Sequence, residues 1–183
     1  MKLREQKGFT LIEVIVVAGI IAVLAGILVP LIFKEIDESK ISRAAADVRS
    51  ISSAIIVLKK DTGQWPVSST CLNTATIITG SGALPTLNDS WDASDQANYD
   101  SILNNDDNGC FAGTTVWKGP YMAHVTADPW GHAYVTNADA YRSTASPLPP
   151  IWIISAGPDG ILQTRSMHTE VVSTSDDVGL RLR

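Results

Sequence analysis

Gly8-Phe9-Thr10-Leu11-Ile12-Glu13, followed without a break by Val14-Ile15-Val16-Val17-Ala18-Gly19-Ile20-Ile21 and on to Phe33, is the stretch that decides the fold. Residues 14–33 carry no charged or strongly polar side chain. As a helix, about 20 residues rising ~1.5 Å each cross the ~30 Å hydrocarbon core of a bilayer. In lipid every backbone donor and acceptor has to be satisfied within the segment, which leaves helix as the conformation. Ahead of the run, Lys2, Arg4 and Lys7 stand against a single acid, Glu5. Basic residues flanking a span stay on the cytoplasmic side. The reading is an N-in anchor, with everything after Phe33 outside the cytoplasm.

Glu13 breaks the apolar pattern at the entrance of the span. A carboxylate at membrane depth costs ~2.5–3.5 kcal/mol on insertion scales unless it finds a partner. It either snorkels to the interface or meets a cation at its own depth. A cut between Gly8 and Phe9 would create that cation, a new amino terminus. A helix holds this amine away from Glu13 of the same chain, but not from Glu13 of a neighbouring copy.

Lys7-Gly8-Phe9-Thr10-Leu11-Ile12-Glu13 and its apolar run closely resemble the class III signal of type IV pilins and type II secretion pseudopilins. The resemblance implies that a prepilin peptidase cleaves after Gly8 and methylates the Phe9 amine. It implies also that subunits polymerise through these helices into a filament. Pro30 falls where the family commonly has a proline; it removes one backbone donor and kinks or locally melts a helix, which suits a stalk that bends in the filament core.

The chain of 183 residues has room for one domain beside the anchor. Removing residues 1–8 takes away three basic side chains and one acidic one, so the formal charge goes from −5 to −7. That balance argues against nucleic acid, since phosphate binding needs a basic face. The apolar run is too long for a secretory signal peptide, and no small-residue cleavage site follows it. Cys71 and Cys110 both lie beyond the span, in a non-cytoplasmic compartment where a disulfide is expected. Such a bond would contribute ~3–4 kcal/mol. Two free buried thiols are the alternative.

From residue 34 to 63 the helix continues but turns amphipathic. Ile36, Ile41, Ala44, Val48, Ile51, Ile55 and Leu58 share one face. Gly63 is expected to end it as a left-handed cap, with Pro66 blocking its return. Trp65-Pro66 resembles the aromatic-Pro step that opens pseudopilin heads. Residues 64–118 read as a long variable loop region, with a short helix within 92–103 and another short element within 70–79. Asn104-Asn105-Asp106-Asp107-Asn108-Gly109 imitates an EF-hand loop, but its twelfth position is Thr115 instead of Glu, so it reads as a polar turn. Residues 119–183 carry three strands: 132–136, 150–155 and 179–183. The fold class is α+β and, by resemblance, type IV pilin-like. A long N-terminal helix packs on a small antiparallel sheet of about three strands.

Gly119-Pro120-Tyr121, Asp128-Pro129-Trp130-Gly131, Ser155-Ala156-Gly157-Pro158-Asp159-Gly160 and Asp176-Asp177-Val178-Gly179, in that order, resemble the head motifs of the major pseudopilins of type II secretion. The resemblance covers the N-terminal helix and 119–183, and does not cover 66–118. It implies a calcium site, carried over here onto Asp159, Asp176 and Asp177 as side-chain ligands and the Ala156 carbonyl as a backbone ligand. Aspartates gathered on turns repel unless a hard divalent ion bridges them; exposed turn aspartates are the alternative. The function implied is a structural subunit of a pseudopilus that helps drive folded proteins across the outer membrane. Its implied partners are further copies of itself, minor pseudopilins, the prepilin peptidase, and an inner-membrane assembly platform with a cytoplasmic ATPase. A type IV pilin for adhesion, motility or DNA uptake is the alternative. A membrane-anchored periplasmic enzyme is the rival of another class. His124, His132 and His168 show no metal spacing, Ser155 lies in no nucleophile elbow, and His132 is expected to face solvent or a neighbour.

Overall fold

The computed structural model describes residues 8–68, 71–106, 109–111 and 117–183. Lys2, Arg4 and Lys7 in the expected leader, and Thr115, lie outside the described residues. Among those described, the chain forms two compact units, one ending at Ser39 and the other spanning Lys40–Arg183.

The first element, helix α1 (Leu11–Thr62), runs unbroken through Pro30. Its front is apolar enough to cross a membrane, and none of the qualifying window is buried. Within the second unit α1 does what the amphipathic spacing dictates. Ala44, Val48, Ile51, Ile55 and Leu58 are buried, whereas Ile41, at the start of this unit, is exposed, as is Ile36 in the first unit; the sequence had placed both on the buried face. Gly63 ends the helix at φ +74°, and its N–H returns to the Lys59 carbonyl at 2.8 Å.

The remaining elements are β1 (Ile77–Thr79), β2 (Gln96–Asn98), α2 (Asp100–Leu103), β3 (Val135–Asn137), α3 (Asp139–Arg142), β4 (Trp152–Ser155) and β5 (Val178–Arg181). The sheet has five strands in the order β2-β1-β3-β4-β5. The α+β plan holds, but the sheet is larger than three strands and is mixed. β1 and β2 pair in parallel, with Ile78 opposite Ala97, while the other pairs are antiparallel. Both extra strands come from the region read as loop. Asp95 accepts Thr76 and Ile77 N–H through its carbonyl and so aligns the two segments.

Both faces of the sheet are covered, and the period of two along a strand sorts the side chains. Ile78, Tyr134 and Ile153 join Val48, Ile51, Ile55 and Leu58 of α1 in one core. Ile77, Val135, Trp152 and Ile154 form a second core on the opposite face, with Trp91 and Leu162. This is why Ile151-Trp152-Ile153-Ile154 is apolar throughout instead of alternating. At the helix edge, Tyr134 Oη donates to Asp47 Oδ2 at 3.0 Å.

Cys71 and Cys110 are joined in a disulfide. It ties the start of the long connecting region to the segment after α2, where Phe111 enters the first core. Cys71→Ser is expected to remove about 3–4 kcal/mol of loop-closure stabilisation, a melting point roughly 10 °C lower. Thermal melting of oxidised wild type against the variant checks this, and equal melting points would refute it.

Candidate functional site

Three places carry the chemistry expected from the sequence: the start of α1, the turn after β4, and the chain just before β5.

At the start of α1, Thr10 and Glu13 bond reciprocally. The Thr10 N–H and Oγ–H both donate to Glu13 Oε2, at 2.9 and 2.8 Å, and the Glu13 N–H reaches Thr10 Oγ at 3.3 Å. This is a capping box, Thr-x-x-Glu ahead of an apolar run, and that spacing was available in the sequence as the signal for it. It restrains the Glu13 carboxylate beside the first turn, one residue from the Phe9 position, so the helix does not hold Glu13 far from residue 9 of its own chain as the sequence suggested. Phe9 itself is 87% exposed. Pro30 lies inside α1, where it withholds one helical N–H without ending the helix.

The turn after β4 is built by Gly157 and Gly160, at φ +68° and +69°. Ala156 is fully buried, while Asp159 is exposed. The Asp159 N–H donates to Asp176 Oδ2 at 3.2 Å, so the turn and the segment before β5 meet. The Asp159 carboxylate accepts the Ile161 N–H at 2.8 Å and the Gln163 side-chain amide at 2.6 Å. Asp177 is buried; its Oδ2 accepts the Thr164 N–H at 2.6 Å, and its Oδ1 has no hydrogen-bond partner. Burial raises the Asp177 pKa above the ordinary carboxylate range. Hydrogen bonding with Thr164 works against that rise, and the nearby Asp176 adds to it.

Thus Asp159 and Asp176 are brought together, whereas Asp177 turns its carboxylate toward Thr164. Among the described residues no three His, Cys, Asp or Glu side chains are grouped as a metal cage. The donors present at this turn are the kind a hard cation takes. They are all oxygen, one buried carboxylate oxygen is orphaned, and calcium fills about six to eight positions with carbonyls and water as readily as carboxylates. In the EF-hand-like stretch the described part is a turn: Asp106 is at φ +50°, Gly109 at φ +61°, and the Gly109 N–H donates to the Asp106 carbonyl.

Ser155, His124 and His132 each have a close neighbour in the fold. Ser155 Oγ is buried and donates to a carboxylate, Asp128 Oδ2, at 2.6 Å. His124 Nδ1 lies 3.0 Å from Asp100 Oδ2 on the surface. His132, expected to face solvent or a neighbour, is partly buried and rests against a neighbouring turn. Its Nδ1 is buried, and its ring rests on Gly160, where an added Cβ would lie 2.5 Å from Nε2.

Two family models match the chain: the prokaryotic N-terminal methylation motif over residues 3–29, and type II secretion system (T2SS), protein G, over residues 101–174. The second match ends two residues before Asp176. The chain is 28% identical over 160 residues to the type II secretion system core protein G of Escherichia coli (strain K12), covering 87% of each. It is 27% identical over 160 residues to the protein of the same name from Pseudomonas aeruginosa, covering 87% of this chain and 89% of that one. Against the one from Vibrio cholerae it is 33% identical over 67 residues, 37% of this chain and 46% of that one. No solved structure matches.

Proposed function

We propose, from the premise that the chain belongs to the type II secretion protein G family of pseudopilins, that it is the structural subunit of a pseudopilus. The observation that carries this reading is the order of the two family matches, methylation motif and then protein G. They lie on a chain whose apolar helix precedes its α+β head. The subunit waits in the inner membrane, N-terminus in the cytoplasm and head in the periplasm. A prepilin peptidase cuts after Gly8 and methylates the Phe9 amine. Subunits then leave the membrane side by side, each Glu13 facing the Phe9 amine of a neighbour. The polymer, with minor pseudopilins and an inner-membrane platform, pushes folded proteins toward an outer-membrane channel. The work comes from a separate cytoplasmic ATPase, so the chain acts mechanically and not as an enzyme.

Deleting the gene in its host should leave the exported proteins in the periplasm, and supplying it in trans should restore export. Loss of surface pili or twitching with export intact would overturn the reading in favour of a pilin.

We further infer that calcium orders the head, held by Asp159, Asp176, Asp177 and the Ala156 carbonyl. Support comes from the orphaned Asp177 Oδ1 and from the contact between Asp159 and Asp176. When bound, the ion supplies positive charge that cancels carboxylate repulsion. The residues of this chain bring the two segments together. Calcium at ~100 times its dissociation constant would add about 2.7 kcal/mol to folding, a rise of several degrees in melting temperature. A melting curve unchanged between calcium and EDTA would overturn it.

A further inference from the structure

We propose that Asp128 is a positioning residue for the cation turn and acts through the Ser155 hydroxyl to aim the Ala156 carbonyl. The inference rests on the calcium reading above and extends it to a motif, Asp128-Pro129-Trp130-Gly131, that the reading left without a role.

Asp128 is only 4% exposed, and its carboxylate is used on both sides. Oδ1 accepts the Trp130 N–H at 3.0 Å and the His132 N–H at 2.8 Å, closing the Asp-Pro-Trp-Gly turn on its own first residue. Oδ2 accepts the Ser155 Oγ–H at 2.6 Å. With its proton committed to Asp128, the Ser155 oxygen presents lone pairs to the other side. There it accepts the Gly157 N–H at 3.1 Å. That N–H belongs to the peptide unit joining Ala156 and Gly157. The peptide is planar and its C=O and N–H point in opposite directions. Fixing the Gly157 N–H on Ser155 therefore fixes the direction of the Ala156 carbonyl, the proposed backbone ligand. Ser155 and Ala156 are both fully buried, so water cannot substitute for the hydroxyl without new space.

The far end of the cation turn is gripped by the same Asp-Pro-Trp-Gly turn. The His132 ring packs on Gly160, whose carbonyl also accepts the Thr86 N–H at 2.9 Å. The segment from Asp128 to His132 thus holds the cation turn at both ends, before and after Asp159. Groups that orient a metal's ligands without touching the metal typically govern about 10–100-fold in affinity.

The test is calorimetric calcium titration of the full chain in detergent micelles, comparing wild type, Ser155→Ala, Ser155→Thr, Asp128→Asn and Asp177→Asn. Ser155→Ala and Asp128→Asn are expected to weaken calcium binding at least tenfold. Combining them should add little, because both break one path. Ser155→Thr keeps the hydroxyl and should keep the affinity, which a merely structural role would not require. Ser155→Ala leaves the Asp128 bonds to Trp130 and His132 in place, so it carries the test even if Asp128→Asn fails to fold. If Asp177→Asn abolishes binding while Ser155→Ala binds like wild type, the positioning role is overturned and the calcium reading stands. If wild type itself takes up no calcium, both are overturned.

Discussion

Gly157→Ala is expected to destabilise the head by on the order of 3–5 kcal/mol, among the largest effects a single substitution can have. Two costs combine. At φ +68° an L side chain meets the following carbonyl, which costs about 1–2 kcal/mol by itself. The new Cβ would also stand 2.4 Å from the Asp176 carbonyl oxygen and 2.9 Å from its carbon. These are backbone atoms, and they cannot swing aside as a side chain could. The segment that would have to move leads directly into β5, whose ladder pairs Ser155 with Val178 and Ile154 with Gly179. Relief at Gly157 therefore strains the strand pair or separates the Asp159 N–H from Asp176. Gly63→Ala is the control. Gly63 has nearly the same φ, +74°, but nothing lies within 4 Å of its Cβ position, so only the conformational cost of about 1 kcal/mol should appear. Thermal melting of the two variants in detergent, without calcium, separates crowding from conformation. Equal losses would show that the contact with Asp176 carries no energy.

The same contrast between local and distant causes governs what can be read from the residues alone. Gly63, the apolar positions of α1 from Ala44 onward, and the Pro150-Ile151-Trp152-Ile153-Ile154-Ser155 run all signal through local chemistry, and the structure places each as expected. Gln96-Ala97-Asn98 carries no such signal, having neither β-branched nor aromatic residues. It becomes a strand because Ile77-Ile78-Thr79 offers it an edge and Ala97 fits beneath that edge, a tertiary cause that propensity does not contain. Tyr99, Ile102 and Leu103 are buried in the first core although they stand in a polar stretch. At the candidate site the aspartates were legible as residue types on turns. That Asp159 meets Asp176, that Asp177 faces Thr164, and that Asp128 reaches Ser155 are consequences of long-range pairing. No spacing rule encodes them. The Thr10–Glu13 box is the opposite case, a local pattern overshadowed by the charge of Glu13.

Glu13→Leu should abolish filaments while leaving the folded head and its melting point unchanged. The carboxylate costs ~2.5–3.5 kcal/mol at membrane depth, and the Thr10 N–H and Oγ–H offset part of that cost in the isolated chain. A carboxylate offers about four acceptor positions, so these two bonds leave it able to take a cation as well. On the proposed mechanism that cation is the methylated Phe9 amine of the next subunit. The pair gives each subunit a reason to leave lipid and fixes its axial position. Leucine removes both: the monomer becomes more comfortable in the bilayer, and the neighbour's amine is left unpaired. A loss of ~2.5–3.5 kcal/mol at each addition step is a factor on the order of one hundred in the equilibrium for adding a subunit. Because a filament needs many successive additions, the yield should fall below detection. Electron microscopy of sheared fibres, with mass spectrometry of the N-terminus, checks both halves of the argument. Glu13→Leu chains should be cut after Gly8 yet stay in the membrane fraction, whereas Gly8→Val chains should remain uncut and unassembled. Ordinary fibres from either variant would remove the charge pair, or the cleavage that creates it, from the mechanism.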